Sequence, residues 1–249
     1  MTGYKAVEVV SKRWYRSVRK LAARLAEVAD TAEYRARRQL VTLRAAWVWV
    51  GTNLQLEAAA PPRSTLEVLR ARAATAPDIV HVFCQLCEAA GLEVVAVEGE
   101  AKGADWWPGS PPPPHCWAAV RVEGAWRLLD PAWAGPPAPR LAEHFFLTDP
   151  ELLSHSHLPR EPVWQLLHPP LSRQEFLAAP HLTPAFLGLG LELEAGPAGE
   201  ARPWLARDTA HLALLSFTPL RYKVGAVSAM PACSAAVVPA ERGGRGGQV

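Results

Sequence analysis

The sequence contains no run of about 18 apolar residues, so no segment of it reads as a membrane-spanning helix. It also shows no secretory signal pattern: the first residues are polar, and the first periodic segment is amphipathic rather than uniformly apolar. Charge of one sign is scarce. Lys+Arg 26 against Asp+Glu 24 leave +2, too little to point to nucleic acid. Cysteine is scarce as well, only Cys84, Cys87, Cys116 and Cys233. Cys84 and Cys87 form a C-x-x-C, but a redox pair favours a helix start and zinc needs a second pair of ligands. The cysteines therefore read as buried free thiols in a reducing compartment. Internal repeats are absent.

What is present is a globular composition. The chain is 49% hydrophobic and 20% charged, with ten tryptophans to anchor a core. Its 249 residues allow one large domain, or one with a small appendage. Basic residues gather early, at Lys12, Arg13, Arg16, Arg19, Lys20 and Arg24 and again at Arg35, Arg37 and Arg38. A solvated helix face accounts for them, and a surface for an acidic partner or anionic membrane is the alternative.

Apolar residues at Val7, Val10, Trp14, Val18, Leu21, Leu25 and Val28 make one stripe of an amphipathic helix. A second helical pattern runs from Glu33 to Trp49. Ser64-Thr65-Leu66-Glu67 is a capping box that opens a short helix. The next helix is broadly apolar (Ile79, Val80, Val82, Phe83, Leu86, Cys87, Ala90), which predicts a buried, central position. Thr75 can cap it, Pro77 is tolerated in its first turn, and Gly91 ends it. A strand, LEVVAVEG, and a Gly/Pro-rich loop with Trp106-Trp107 follow. After about residue 170 the pattern suggests short strands, too few for an immunoglobulin-type sandwich. The end, rich in small residues, predicts disorder. The expected organisation is an N-terminal helix over 1–32, a core over 33–168, a partial β segment over 169–222 and a disordered tail over 223–249.

The most informative stretch is HCWAAVRVEGAWRLLDPAW, residues 115–133. It reads as a β-hairpin turning at Glu123-Gly124. With Val122 opposite Ala125, Trp117 falls opposite Asp130. His115 and Asp130 are then diagonal neighbours on one face, roughly 7–8 Å apart, within reach of long side chains. An imidazole oriented by a carboxylate supplies two of the three parts of a nucleophilic triad.

A buried helix followed by strands bearing His and Asp resembles the papain-like plan. The landmarks RAAWVWVGTNLQLE, FCQLCEAAGLEVVAVEGEAKG, HCWAAVRVEGAWRLLDPAW and FFLTDPELLSHSHLPREPVWQLL, in that order, resemble the transglutaminase-like superfamily and within it the kyphoscoliosis peptidase group. The resemblance covers roughly residues 35–168. It implies an α+β, papain-like or transglutaminase-like core with a central helix packed on an antiparallel sheet. It also implies a Cys-His-Asp triad, and His115 and Asp130 match two of its members.

The cysteine of such a triad sits at the start of the central helix, where the dipole and unpaired N–H groups favour a thiolate. Counting back from Cys87 by the family's spacing lands on Ala76, in that first turn. Asp78 and Ile79 also depart from the family's pattern there. Cys84 and Cys87 lie on the order of 12–16 Å further along the helix. Cys116 points to the face opposite His115, and Thr75 reads as a cap rather than a nucleophile. His115 and Asp130 are then vestigial, kept as a buried hydrogen-bonded unit. His144, His155 and His157 invite a metal reading, but the last fits a packing landmark, so no metal and no cofactor is expected.

The expected protein is a non-catalytic, cytoplasmic binding or scaffolding module, associated with the cytoskeleton because the resemblance implies relatives in muscle and cytoskeletal organisation. The alternative is an active cysteine peptidase or transamidase of the kyphoscoliosis peptidase type. Partners are expected to be proteins, not nucleic acid.

Overall fold

A computed structural model describes residues 17–30, 34–104, 106–107, 109–135, 141–179 and 182. The start of the first apolar stripe, most of the 169–222 segment and the whole 223–249 tail lie outside these residues.

Helix α1 (Val18–Ala29) buries Leu21, Ala22 and Leu25 and turns Arg19, Lys20 and Arg24 to solvent. Arg37 and Arg38, further along, are exposed as well. A 3-10 turn (Arg35–Arg37) leads into helix α2 (Arg38–Asn53), whose Leu43, Trp47 and Val50 are fully buried. A two-residue strand β1 (Gln55–Leu56) pairs in parallel with β2 (Ala73–Ala74) around helix α3 (Thr65–Ala71). The capping box of α3 forms as the sequence suggests: Ser64 Oγ accepts from the Glu67 N–H, and the Glu67 carboxylate accepts from the Ser64 N–H at 2.8 Å.

Helix α4 (Ala76–Ala89) is the central one, burying Ile79, Val80, Val82, Phe83, Leu86 and Cys87. These side chains form one cluster with Ala118, Val120, Val122 and Leu129 from the sheet, so the helix packs on a sheet face. Truncating the fully buried Phe83 to alanine removes packing worth about 3–5 kcal/mol. The helix ends at Ala90, and Gly91 follows with φ +80, a conformation that costs glycine little.

The sheet comprises β3 (Glu93–Ala101), β4 (Pro114–Val122), β5 (Ala125–Leu129) and β6 (His157–Pro159), all antiparallel, in the order β5-β4-β3-β6. The hairpin register is the expected one, Val122 opposite Ala125 through Ala118 opposite Leu129. Glu123 (φ 51) and Gly124 (φ 83) make its turn. A second apolar cluster covers the face away from α4: Val97, Trp117, Ala119, Leu128, Phe145 and Leu153. Helix α5 (Pro150–Leu153) feeds into β6. The first part of the segment after residue 168 is helical rather than extended. Helix α6 (Arg173–Ala178) is opened by a capping box of Ser172 and Glu175. The architecture is α+β, with a central helix on an antiparallel sheet.

Candidate functional site

The site lies on the sheet face away from α4, at the end of the hairpin. His115 and Trp117 project to that face because alternate residues of β4 share a side, while Cys116 faces the helix. His115 is in register with Gly99, which is in turn in register with Pro159. A Cβ on Gly99 would sit 2.1 Å from the Leu158 carbonyl oxygen and 2.6 Å from the Trp117 ring. Only a residue without a side chain lets β6 curl this closely over the sheet.

The pair expected from the hairpin forms. His115 Nε2 lies 2.7 Å from Asp130 Oδ2, and Asp130 is fully buried. The other carboxylate oxygen accepts from the N–H groups of Ala132 at 2.8 Å and Trp133 at 3.2 Å. A third partner was not assigned to the site from sequence. His157 Nε2 stands 3.2 Å from the same Oδ2, and its Nδ1 is 2.7 Å from Ser156 Oγ. Asp130 thus accepts from two imidazoles and two backbone amides, which satisfies its lone pairs.

This arrangement assigns the protons. An ionised Asp130 only accepts, so each histidine donates from Nε2. The Ser156 hydroxyl then donates to His157 Nδ1. The Nδ1 of His115 is left as its basic nitrogen, and no described residue hydrogen-bonds to it. Trp133 stacks on the His115 ring at 4.4 Å between centroids and fixes its plane. Trp133 also packs against both apolar clusters, so it links the site to the core beneath α4.

Electrostatics follow from burial. Burial opposes the Asp130 charge, but His115 and His157 outweigh it and hold the carboxyl below the usual carboxylate range. Burial pushes the His157 pKa down against the pull of Asp130, which favours a neutral ring. The thiols move the other way. Burial raises Cys84 and Cys116 to about 12 and Cys87 well above its ordinary value. All three are buried in the core, and Cys233 lies outside the described residues.

Ala76 is the first residue of α4 and packs against the same helix-facing cluster as Trp133. Thr75 occupies the N-cap position, but its hydroxyl does not cap. It donates to Asp78 Oδ2 at 3.0 Å instead of accepting from a helix N–H. Among the described residues, the one group of three or more side chains placed to hold a metal ion is His115, Asp130 and His157, with ligand atoms within 4.8 Å of one another. His144 and His155 are not part of it.

A further residue that the sequence did not single out is Lys102, at the end of β3. It is fully buried and donates to the carbonyls of Phe176 and Ala179, the latter at 2.8 Å. Its ammonium lies 4.2 Å from the Phe176 ring centroid and 4.8 Å from that of Trp106. Burial lowers its pKa to about 8. The only sequence signal was a lysine directly after a strand.

Residues 19–131 match the model of the transglutaminase-like superfamily. The chain is also similar to the kyphoscoliosis peptidases. It is 28% identical over 169 residues to the Kyphoscoliosis peptidase of Homo sapiens, an alignment covering 61% of this chain and 26% of that protein. It is 32% identical over 134 residues to Hillarin of Drosophila melanogaster (45% of this chain, 16% of Hillarin). It is 25% identical over 140 residues to cytokinesis protein 3 of Schizosaccharomyces pombe (53% of this chain, 16% of that protein). The chain spans about a quarter of the length of the kyphoscoliosis peptidase it matches.

Proposed function

We propose that this chain is a non-catalytic transglutaminase-like protein that works in the cytoplasm by binding cytoskeletal protein partners. The single observation that carries the reading is the start of α4, where Ala76 offers a methyl group at the position expected for the nucleophile. Burial of Cys84, Cys87 and Cys116, which raises their pKa values and disfavours thiolate, supports the same reading. An imidazole held by a carboxylate has no nucleophile to activate under these conditions. Retention of His115 and Asp130 is compatible with this reading, because deleting Asp130 would leave the His115 Nε2–H without its acceptor. The similarity to cytokinesis protein 3 of Schizosaccharomyces pombe supports a cytoskeletal partner. The exposed Arg19, Lys20 and Arg24 offer an acidic protein a docking face.

The second reading, an active cysteine peptidase or transamidase, is favoured by the intact His115–Asp130 bond. A thiol-directed electrophile separates the two. The proposal expects no labelling that depends on His115. Labelling of the wild type that disappears in His115→Ala would establish the enzyme reading. The variant Ala76→Cys tests the vacancy directly, and a gain of amide hydrolysis or transamidation would mark residue 76 as the nucleophile position.

A further inference from the structure

We propose that His115, Asp130 and His157 form a binding site for a divalent transition-metal ion of the zinc class. Two imidazole nitrogens and one carboxylate oxygen are ligands that zinc accepts, whereas calcium and magnesium favour oxygen alone. The three ligand atoms already converge within 4.8 Å. The edge of a tetrahedral site with bonds of about 2.0–2.1 Å is roughly 3.3 Å. Oδ2 of Asp130 stands 3.2 Å from His157 Nε2 and 2.7 Å from His115 Nε2, so the second distance must open, and the two imidazole nitrogens, which lie within 4.8 Å, must draw together on binding.

The surroundings match those of a metal site. Asp130 Oδ1 is pinned by two backbone amides, which leaves Oδ2 as the ligand atom. Trp133 holds the His115 ring by stacking. Ser156 Oγ lies 2.7 Å from His157 Nδ1 and 3.3 Å from the Leu153 carbonyl oxygen, so it can serve either tautomer of His157. Without metal, the hydroxyl donates to Nδ1. With metal, Nδ1–H donates to the hydroxyl, which turns to Leu153. Supporting hydrogen bonds of this kind orient a ligating histidine.

Charge and protons balance. In the metal-free form each ring donates Nε2–H to an ionised Asp130. In the bound form each ring carries its proton on Nδ1, both Nε2 lone pairs go to the metal, and Asp130 stays ionised. No proton is gained or lost by the protein. A water completes the coordination from the side of His115, whose side chain keeps 7% of its surface exposed. This inference goes beyond the binding-module reading and does not depend on it.

Cobalt(II) is the probe, added to the full chain while circular dichroism monitors the fold. The expected result is one ion per chain with the visible absorption of a tetrahedral site. His115→Ala and His157→Ala should each weaken binding at least tenfold, and Ser156→Ala by about tenfold. Three results would overturn the proposal: no saturable binding by the wild type, unchanged affinity in a folded His115→Ala variant, or a near-ultraviolet sulfur-to-cobalt charge-transfer band. Should His157→Ala fail to fold, the wild-type spectrum and His115→Ala decide the matter. His115-dependent thiol labelling would overturn the non-catalytic reading without touching this one.

Discussion

Lys102 ties the end of the third strand to the Phe176 carbonyl, joining segments 74 positions apart through one ammonium group. Substituting Lys102→Met leaves the carbonyls of Phe176 and Ala179 without this donor, and unfolding in urea should show a loss of about 1–3 kcal/mol at neutral pH. The pH dependence has a definite sign. The folded pKa, about 8, lies below the ordinary 10.5, so between these values the unfolded chain holds more protons. The stability of the wild type relative to Lys102→Met should therefore rise as pH climbs from 8 to 10.5. A flat difference across that window would contradict the burial argument.

Asp130 should be less replaceable than either of its imidazole partners. In Asp130→Asn one carboxylate oxygen becomes an amide that donates, and it then faces the N–H groups of His115 and His157. Breaking a buried pair in this way costs about 3–5 kcal/mol. His115→Ala removes one donor and leaves the carboxylate three others, so it should cost less. Equilibrium denaturation of both variants gives the ranking, and the reverse order would refute a carboxylate-centred site.

Gly99→Ala should displace β6. The added methyl meets the Leu158 carbonyl oxygen at 2.1 Å and the Pro159 Cα at 2.8 Å, both backbone atoms with little freedom to yield. Overpacking of this kind costs about 1–3 kcal/mol. The specific expectation is that amides of residues 157–159 exchange with solvent faster, while the β4–β5 hairpin stays protected. Uniform destabilisation with β6 still protected would refute it.

Cys84, Cys87 and Cys116 should react with a thiol reagent only as fast as the protein unfolds, since all three are buried and burial raises their pKa values. The measurement uses Cys233→Ser, which removes the fourth thiol. A burst equal to one thiol in the folded protein would show that one of the three is reactive.

The hairpin was legible because its signals are local. Alternation sets the faces, Glu123-Gly124 sets the turn, and the register then places His115 beside Asp130. The capping box at Ser64 and the buried run of α4 were legible for the same reason. His157 was not, since its neighbours come from pairing across β3, and nothing in HSHLP reports where a three-residue edge strand will dock. Lys102 was missed because a lysine reads as exposed, and its carbonyl partners lie far along the chain. Thr75 misled at the atomic level. Its position is a cap, but Asp78 competes for its hydroxyl.

The three rows of pairing that hold β6 to β3 also decide when the cluster is whole. A hairpin closes through short-range contacts, so His115 and Asp130 can meet early during folding, whereas His157 must wait for the sheet edge to assemble. Transient fraying of that edge would unveil Asp130 from one side while leaving its bond to His115 untouched.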